Sequence, residues 1–453
     1  MKKFIMQKLI ICSLLAVLFS GCGDDFLDLK PVSNLTMDQF YKNGSDYETA
    51  IMGVYYNFAE WVLRPRMMSE YRSDNIKFWR LIYGEFSNNT LSSNTTEIIW
   101  GQIYKTLVNP SNNIINTIDV IVMDEAKRKQ IKGEALFFRG FAYYWLNLCF
   151  EGVPIVLRPL SIEESYQLGR STEAETWAQA EADFAAAFLL LPDMAPEYGR
   201  VDKYVAETFL AKTHMQQQKW GLAKNALSDV FTNSGHSLQP VWADMWTRNG
   251  QKLSPELMCV GSWSPTIKDD DMGQFLNITN QVVGFFEFEP GLLASFDVQD
   301  KRKNETLGFD GVYRNFKYDF GWDNSIKLWT GDVVVLRFTD VQLLYAEAIT
   351  MSAGSVQQQS LDLMNQTRNR AGLSNLSIAD ISTTAKFVDA ILAERRAEFV
   401  FECERYPDLK RHNKLVSNLN AIGYTYTENY KRMPIPASEI DKMQGVLIQN
   451  PGY

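Results

Sequence analysis

Two stretches of this chain set flat aromatic rings beside side chains rich in hydrogen-bonding groups. Asp74, Asn75, Trp79 and Arg80 fall within one short segment, and Trp263, Phe285, Phe286, Tyr313 and Trp322 are spread through a second. A sugar ring presents weakly polar C–H faces that stack on Trp, Tyr or Phe, while its hydroxyls need carboxylate, amide or guanidinium partners. The ligand-binding candidates are therefore Asp74, Asn75, Trp79, Arg80, Trp263, Phe286, Tyr313 and Trp322. For any single ring, burial in a core is the commoner fate.

Catalytic and metal chemistry find little support. His214, His236 and His412 share no ligand spacing, and there is no His-Glu-x-x-His, Gly-x-Ser-x-Gly or phosphate-binding glycine loop. No cofactor or metal is implied. Asp269-Asp270-Asp271 lacks the alternating oxygen pattern of an EF-hand. Glu287 and Glu289 lie near the aromatic stretch, but a glycosidase needs two carboxyls facing each other across about 5–10 Å. Glu394-Arg395-Arg396-x-Glu398 has the spacing of ion pairs along one helix, a structural arrangement.

The N-terminus addresses the chain to a membrane. Lys2, Lys3 and Lys8 precede an apolar run from Leu9 to Phe19, too short to span a bilayer, and Ser20-Gly21-Cys22 closes it. This is a secretory leader over residues 1–21 ending in a lipobox, with Cys22 as the lipidated first residue of the mature chain. Phe19 stands where a lipobox usually has Leu. Asp24 and Asp25 then form a short acidic linker. Removal of the leader makes the net charge of −9 more negative by its three lysines, and an acidic chain without a basic run excludes nucleic acid as a partner. The three cysteines that remain, Cys149, Cys259 and Cys403, are too scattered for a disulfide framework and read as buried apolar residues.

The elements that must position the candidates are mostly helical. Thr36-x-x-Gln39 reads as a capping box for a short helix ended by Asn43-Gly44, and an amphipathic helix follows from Asp46, broken at Arg64-Pro65. Asn94-x-x-Glu97 caps the next, Asp124 to Phe150 is one long aromatic-rich helix, and Thr172-x-x-Glu175 caps another. Tyr204 to Phe231 splits near Gln216 into a pair with the small-residue pattern of a tetratricopeptide unit. From about residue 235 to 331 helical period is lost, and a stretch of this length without it is expected to be functional. Helices resume at Val341, Ser360 and Ala385. The reading is a single mostly α-helical domain over 22–453 with an irregular ligand-binding insertion at about 235–331.

Six blocks carry a resemblance. They are Cys22-Gly-Asp-Asp-Phe-Leu-Asp, Arg139-Gly140-Phe141-x-Tyr143-Tyr144 leading to Gly152-Val153-Pro154, Arg337-Phe338-Thr339-Asp340, Asn365-x-x-Arg368-x-Arg370-Ala371-Gly372, Glu394-Arg395-Arg396-x-Glu398 continuing to Asp408-Leu409, and Pro434-Ile435-Pro436 to Tyr453. In this order they resemble the SusD/RagB family of Bacteroidota surface lipoproteins. Cys403 stands where that family usually has Gly, and Pro407 interrupts the segment before Asp408. The resemblance implies an all-α, tetratricopeptide-like fold and a non-enzymatic protein on the outer face of the outer membrane, held by its lipid. It further implies capture of an oligosaccharide for a SusC-like TonB-dependent transporter. A RagB-like peptide binder, a surface glycosidase and a purely structural helical adaptor are the rival readings.

Overall fold

The computed structural model describes residues 40–61, 69–78, 81–88, 90–261, 286–309, 313–318, 322–323, 328–329, 331–443 and 445–453. The leader, Cys22, the Thr36–Gln39 cap and Arg64-Pro65 lie outside the described residues.

Helical residue Phe40 is followed by a break at 41–43, and Asn43 opens the next helix, its Oδ1 accepting the Ser45 N–H at 2.9 Å. Helix α1 (Gly44–Trp61) is followed by strand β1 (Ile76–Phe78), α2 (Leu81–Asn88), and α3 (Glu97–Ile103), which runs through a π-turn into α4 (Asn109–Thr117). Thr96, not Asn94, is the α3 N-cap residue, without a side-chain cap bond. Helix α5 (Glu125–Phe150) begins on an Asp124 cap and ends at the left-handed Glu151. Helices α6 (Ile162–Gln167), α7 (Glu173–Leu190), α8 (Lys203–Gln216) and α9 (Trp220–Asn233) follow. The Thr172–Glu175 capping box forms with both of its bonds.

Neighbours in sequence are neighbours in space. Helix α1 and α4 pack on α5, α5 on α7, α7 on α8, and α8 on α9. Close approach is built into the sequence: a Cβ at Gly140 of α5 would stand 3.0 Å from the Phe184 ring of α7. Arg139, one residue earlier, forks onto Asp183 with bonds of 2.9 and 2.6 Å, so the charge is paired where it is buried.

The segment after α9 leaves this stack and comes back. It holds α10 (Arg248–Leu253), β2 (Leu257–Gly261), β3 (Phe286–Phe288), α11 (Leu292–Ser295), α12 (Arg302–Thr306), β4 (Leu307–Phe309), β5 (Tyr313–Asn315), β6 (Trp322–Asp323), β7 (Leu328–Trp329) and β8 (Val333–Arg337). The strands pair antiparallel in twos: β1 with β3, β2 with β8, β4 with β5, β6 with β7. Helix α13 (Phe338–Ala353) then packs directly on α9. The irregular lobe is thus looped out between two adjacent scaffold helices. Helices α14 (Gln358–Arg370), α15 (Thr384–Phe399), α16 (Arg405–Arg411), α17 (Leu415–Ala421) and α18 (Ala437–Lys442) complete the chain. Pro407 sits inside the first turn of α16, where its missing N–H costs no helical bond.

An ionic cluster ties the lobe to the scaffold. Glu398 of α15 accepts from Arg302 of α12, from Arg337 at the end of β8 and from Arg370 of α14, each at 2.7 Å, and from the Trp242 indole at 3.0 Å. Lys317 donates to the carbonyls of Glu398 and Val400 and to Glu402. The Glu394–Glu398 block is structural, as its composition indicates, but its partners are not on its own helix: Arg395 reaches Asp340 and Asp408, and Glu394 reaches Arg302 and Arg368. The three remaining cysteines are buried free thiols. Phe401 and Cys403 both adopt left-handed backbone, φ 66° and 65°, which is the physical reason a glycine suits this turn.

The tail closes the far end of α5. The Met433 N–H donates to Cys149 O at 2.7 Å, Asn450 Nδ2 to Phe150 O at 3.0 Å, and Arg170 Nη2 to the Phe150 and Glu151 carbonyls. These groups satisfy the open carbonyls of a long helix. Gly152, in left-handed backbone, leaves no room for a side chain, since a Cβ would stand 2.5 Å from Ser171 O. The Gly152-Val153-Pro154 and Pro434–Tyr453 blocks therefore meet in space.

Candidate functional site

The two segments singled out for their aromatics meet at one strand pair. In β1–β3, Ile76 stands opposite Phe288, Lys77 opposite Glu287, and Phe78 opposite Phe286. Strand β5, which contains Tyr313, lies beside β3. This brings the backbone around Asp74, Asn75, Phe286 and Tyr313 together, while Trp322 pairs with Trp329 across β6–β7. Trp79, Arg80, Trp263 and the Asp269–Asp271 run lie outside the described residues.

Three of the candidates, Phe286, Asn75 and Asp74, face inward. Phe286 is 1% exposed and packs on Phe288 and on Phe401 of the left-handed turn, with centroids 6.0 and 5.6 Å away. Asn75 is fully buried; its amide donates to Glu70 at 2.8 Å and accepts from Arg396 Nε at 2.8 Å. Asp74 takes a two-pronged bond from Arg405. Their polar groups are spent on holding the strand pair to α15 and α16. All three lie buried at the base of the strand pair.

Beneath that base, Glu70 is fully enclosed, and burial pushes its carboxyl up to about 7 although Asn75 and the Phe401 N–H both donate to it.

At the rim stands a stack that sequence reasoning passed over. Tyr424, Tyr426 and Tyr430 lie face to face, with centroids 4.8 and then 4.2 Å apart, and the Arg72 guanidinium covers the last ring at 3.9 Å. Tyr426 is fastened by its hydroxyl to Ser87 O at 3.0 Å and by Asn420, which bonds both its N–H and its carbonyl. The Tyr424 hydroxyl donates to Glu289 at 2.5 Å. Burial raises the Glu289 carboxyl above its usual range, against the opposing effect of that hydroxyl. Tyr424 and Tyr426 keep part of their surface open, as do Lys77 and Glu287. The alternation Tyr424-x-Tyr426-x-x-x-Tyr430 was the available signal, in a segment with too little helical period to attract attention.

Together these elements form a rigid aromatic rim over a neutralised ionic floor, suited to stacking a ring and bonding its hydroxyls. Glu287 lies in β3 opposite Lys77, and Glu289, one residue past the strand's end, is held by Tyr424. Among the described residues no group of three or more His, Cys, Asp or Glu is placed to hold a metal ion, and no helix is long and apolar enough to cross a membrane.

Comparison with known proteins fits this architecture. The SusD family model matches residues 300–453, and a second model, described as starch-binding associating with outer membrane, matches residues 25–215. The chain belongs to the SusD/RagB family. Among SusD-like relatives, protein P25 of Formosa agariphila is 24% identical, with 99% of each chain covered. A SusD-like protein of Bacteroides ovatus is 24% identical over 90% of this chain and 83% of its own. Solved structures share the SusD-like fold. A laminarin-binding SusD-like protein superposes with a TM-score of 0.78 at 21% identity, covering 91% of this chain and all of the other. Surface glycan-binding protein A from Bacteroides thetaiotaomicron, in complex with laminarihexaose, gives 0.75 at 19% identity, covering 90% of this chain and 99% of the other.

Proposed function

We propose that this SusD-like chain is a lipoprotein of the outer membrane's external face, anchored through Cys22, that captures oligosaccharides and hands them to a SusC-like TonB-dependent transporter. The observation that carries the reading is the meeting of two aromatic segments at β1–β3 beneath the Tyr424–Tyr426–Tyr430 rim. The SusD-like neighbours named for laminarin and for surface glycans support a carbohydrate as the ligand class. The chain acts by binding and not by turnover: Glu287 of β3 and Glu289, one residue past its end, follow each other along one stretch of backbone instead of standing on opposite walls of a cleft. Energy for import comes from the transporter, so no cofactor is required of this chain.

The deciding experiment is a glycan array and affinity-gel screen of the mature chain beginning at Gly23, with laminarin first and a peptide library alongside. Retention by one polysaccharide class, recovered intact, establishes glycan capture. Binding of peptides alone moves the protein to the RagB-like reading, and shortened sugars in the supernatant establish a glycosidase. Separately, Cys22→Ala should move the full-length protein from the membrane to the soluble fraction; retention in the membrane overturns the lipid anchor.

A further inference from the structure

A second aromatic cleft lies on the scaffold itself, where α1, the turn at 197–200 and β2 converge. Its volume is about 320 Å³, and Met52, Tyr55, Tyr56, Tyr198 and Val260 form its walls. A smaller cavity of about 150 Å³ adjoins it on the other side of the same turn, lined by Asp202 and His236 among others. The larger volume falls within the range of small-ligand sites.

Of the rings in this cleft, Tyr55 is held, Tyr56 is exposed, and Tyr198 is both. Tyr56 is 46% and Tyr198 is 48% exposed. Tyr198 is oriented by its hydroxyl, which donates to Asp332 at 2.9 Å at the end of the irregular lobe. Tyr55 is held by the Val201 N–H, which donates to its hydroxyl at 2.9 Å. The turn is pinned from below, because Arg200 forks onto Glu134 with bonds of 2.8 and 2.6 Å and also reaches Glu48. That guanidinium is fully engaged, so the cleft offers little net positive charge to an anion. Glu197, exposed on the same turn, presents a carboxylate at the mouth. Stacking faces with one acceptor at the edge match a neutral ring bearing C–H faces and donating hydroxyls.

We propose that this cleft is an additional carbohydrate subsite, taking a neutral pyranose unit between Tyr56 and Tyr198 with a hydroxyl donating to Glu197. None of its walls belongs to the β1–β3 platform, so it gives the protein a second hold on a long glycan. The inference rests on the glycan-capture reading above. Two linked sites raise retention of a polymer far more than affinity for a short oligosaccharide that fills one of them.

The test compares wild-type mature chain with Tyr56→Ala, Tyr198→Ala and Tyr198→Phe in gels carrying the retained polysaccharide, and by calorimetry with laminarihexaose, maltohexaose, cellohexaose and xylohexaose. Either alanine variant should weaken polymer retention by about tenfold, the size expected for one lost stacking ring, and Tyr198→Phe should keep most of it. Fluorotyrosine at positions 56 and 198 should shift in ¹⁹F NMR on titration with the bound hexasaccharide, a readout independent of any loss of folding in the variants. Wild-type retention with unchanged variants and silent fluorine signals overturns the cleft while leaving glycan capture intact. A wild-type chain that binds no glycan overturns both.

Discussion

Arg405 and Asp74, 331 positions apart in sequence, meet in a buried two-pronged ion pair, Nε to Oδ1 at 2.7 Å and Nη2 to Oδ2 at 2.8 Å. Burial alone would raise the Asp74 carboxyl. The Arg405 guanidinium, with help from Arg396 and Asn418, outweighs it and holds the group well below the usual carboxylate range. The pair joins the segment leading into β1 to α16.

Asp74→Asn should therefore act on stability first. It leaves Arg405 buried without its countercharge, a change that typically costs about 3–5 kcal/mol. Urea unfolding followed by far-UV circular dichroism measures the loss. A variant of wild-type stability that fails to bind glycan would instead return Asp74 to the contact surface.

Glu398 poses a stronger case, because one carboxylate serves Arg302, Arg337 and Arg370 together. Glu398→Gln removes the charge that those guanidiniums share. The expected cost is again about 3–5 kcal/mol, and its location is specific. Amide exchange should quicken at 242–261 and 300–318 of the lobe before it quickens in α5 or α7. Uniform quickening along the chain would show that the cluster does not hinge lobe to scaffold.

Glu70 gives a pH signature. Its carboxyl titrates near 7 in the folded chain, against an ordinary value of 4.5. Between those values the folded state keeps a proton that the unfolded state has released. Its contribution to stability is thus complete below the ordinary value and is lost as pH rises through 7. At roughly 1.4 kcal/mol per pH unit, the full effect is roughly 3 kcal/mol. Glu70→Gln mimics the protonated form, so it should match wild type near pH 4 and melt at a higher temperature at pH 8. Equal melting temperatures at both pH values would mean that the carboxyl titrates normally.

How much of this was legible follows from the range of each signal. Helices α5, α7, α8 and α9 are written in local periodicity, and the Thr172–Glu175 cap stands where spacing puts it. The packing of Asp74 and Asn75 was hidden for the opposite reason. Their types suit a sugar, but what decides their role is Arg405, Arg396 and Glu70, and only tertiary packing brings those groups near. Glu394–Glu398 shows the same limit: its ion pairing was readable, yet the partners came from other elements and not from one helix face. The rim tyrosines left only a spaced run of three rings in a segment without helical period, and the Tyr56–Tyr198 cleft left no motif, since a ring one residue off the buried face of α1 looks like any other surface residue.

The rim itself can be tested ring by ring. Tyr424 ends the tyrosine stack with part of its face open, and its hydroxyl is engaged by Glu289. Tyr424→Ala removes a stacking surface and should weaken glycan binding by about 1–3 kcal/mol, by analogy with base–aromatic stacking; Trp322→Ala on β6 should do the same. Tyr424→Phe keeps the ring and drops only the bond to Glu289, so it should lose less than half as much. Calorimetry with the oligosaccharide found on the array reads all three, with thermal melts confirming that each variant is folded. If Tyr424→Phe proves as damaging as Tyr424→Ala, the Glu289 bond and not the ring is what the ligand requires. If neither Tyr424 variant changes affinity, the ligand does not rest on this rim, and an unchanged Trp322→Ala removes that ring from the site.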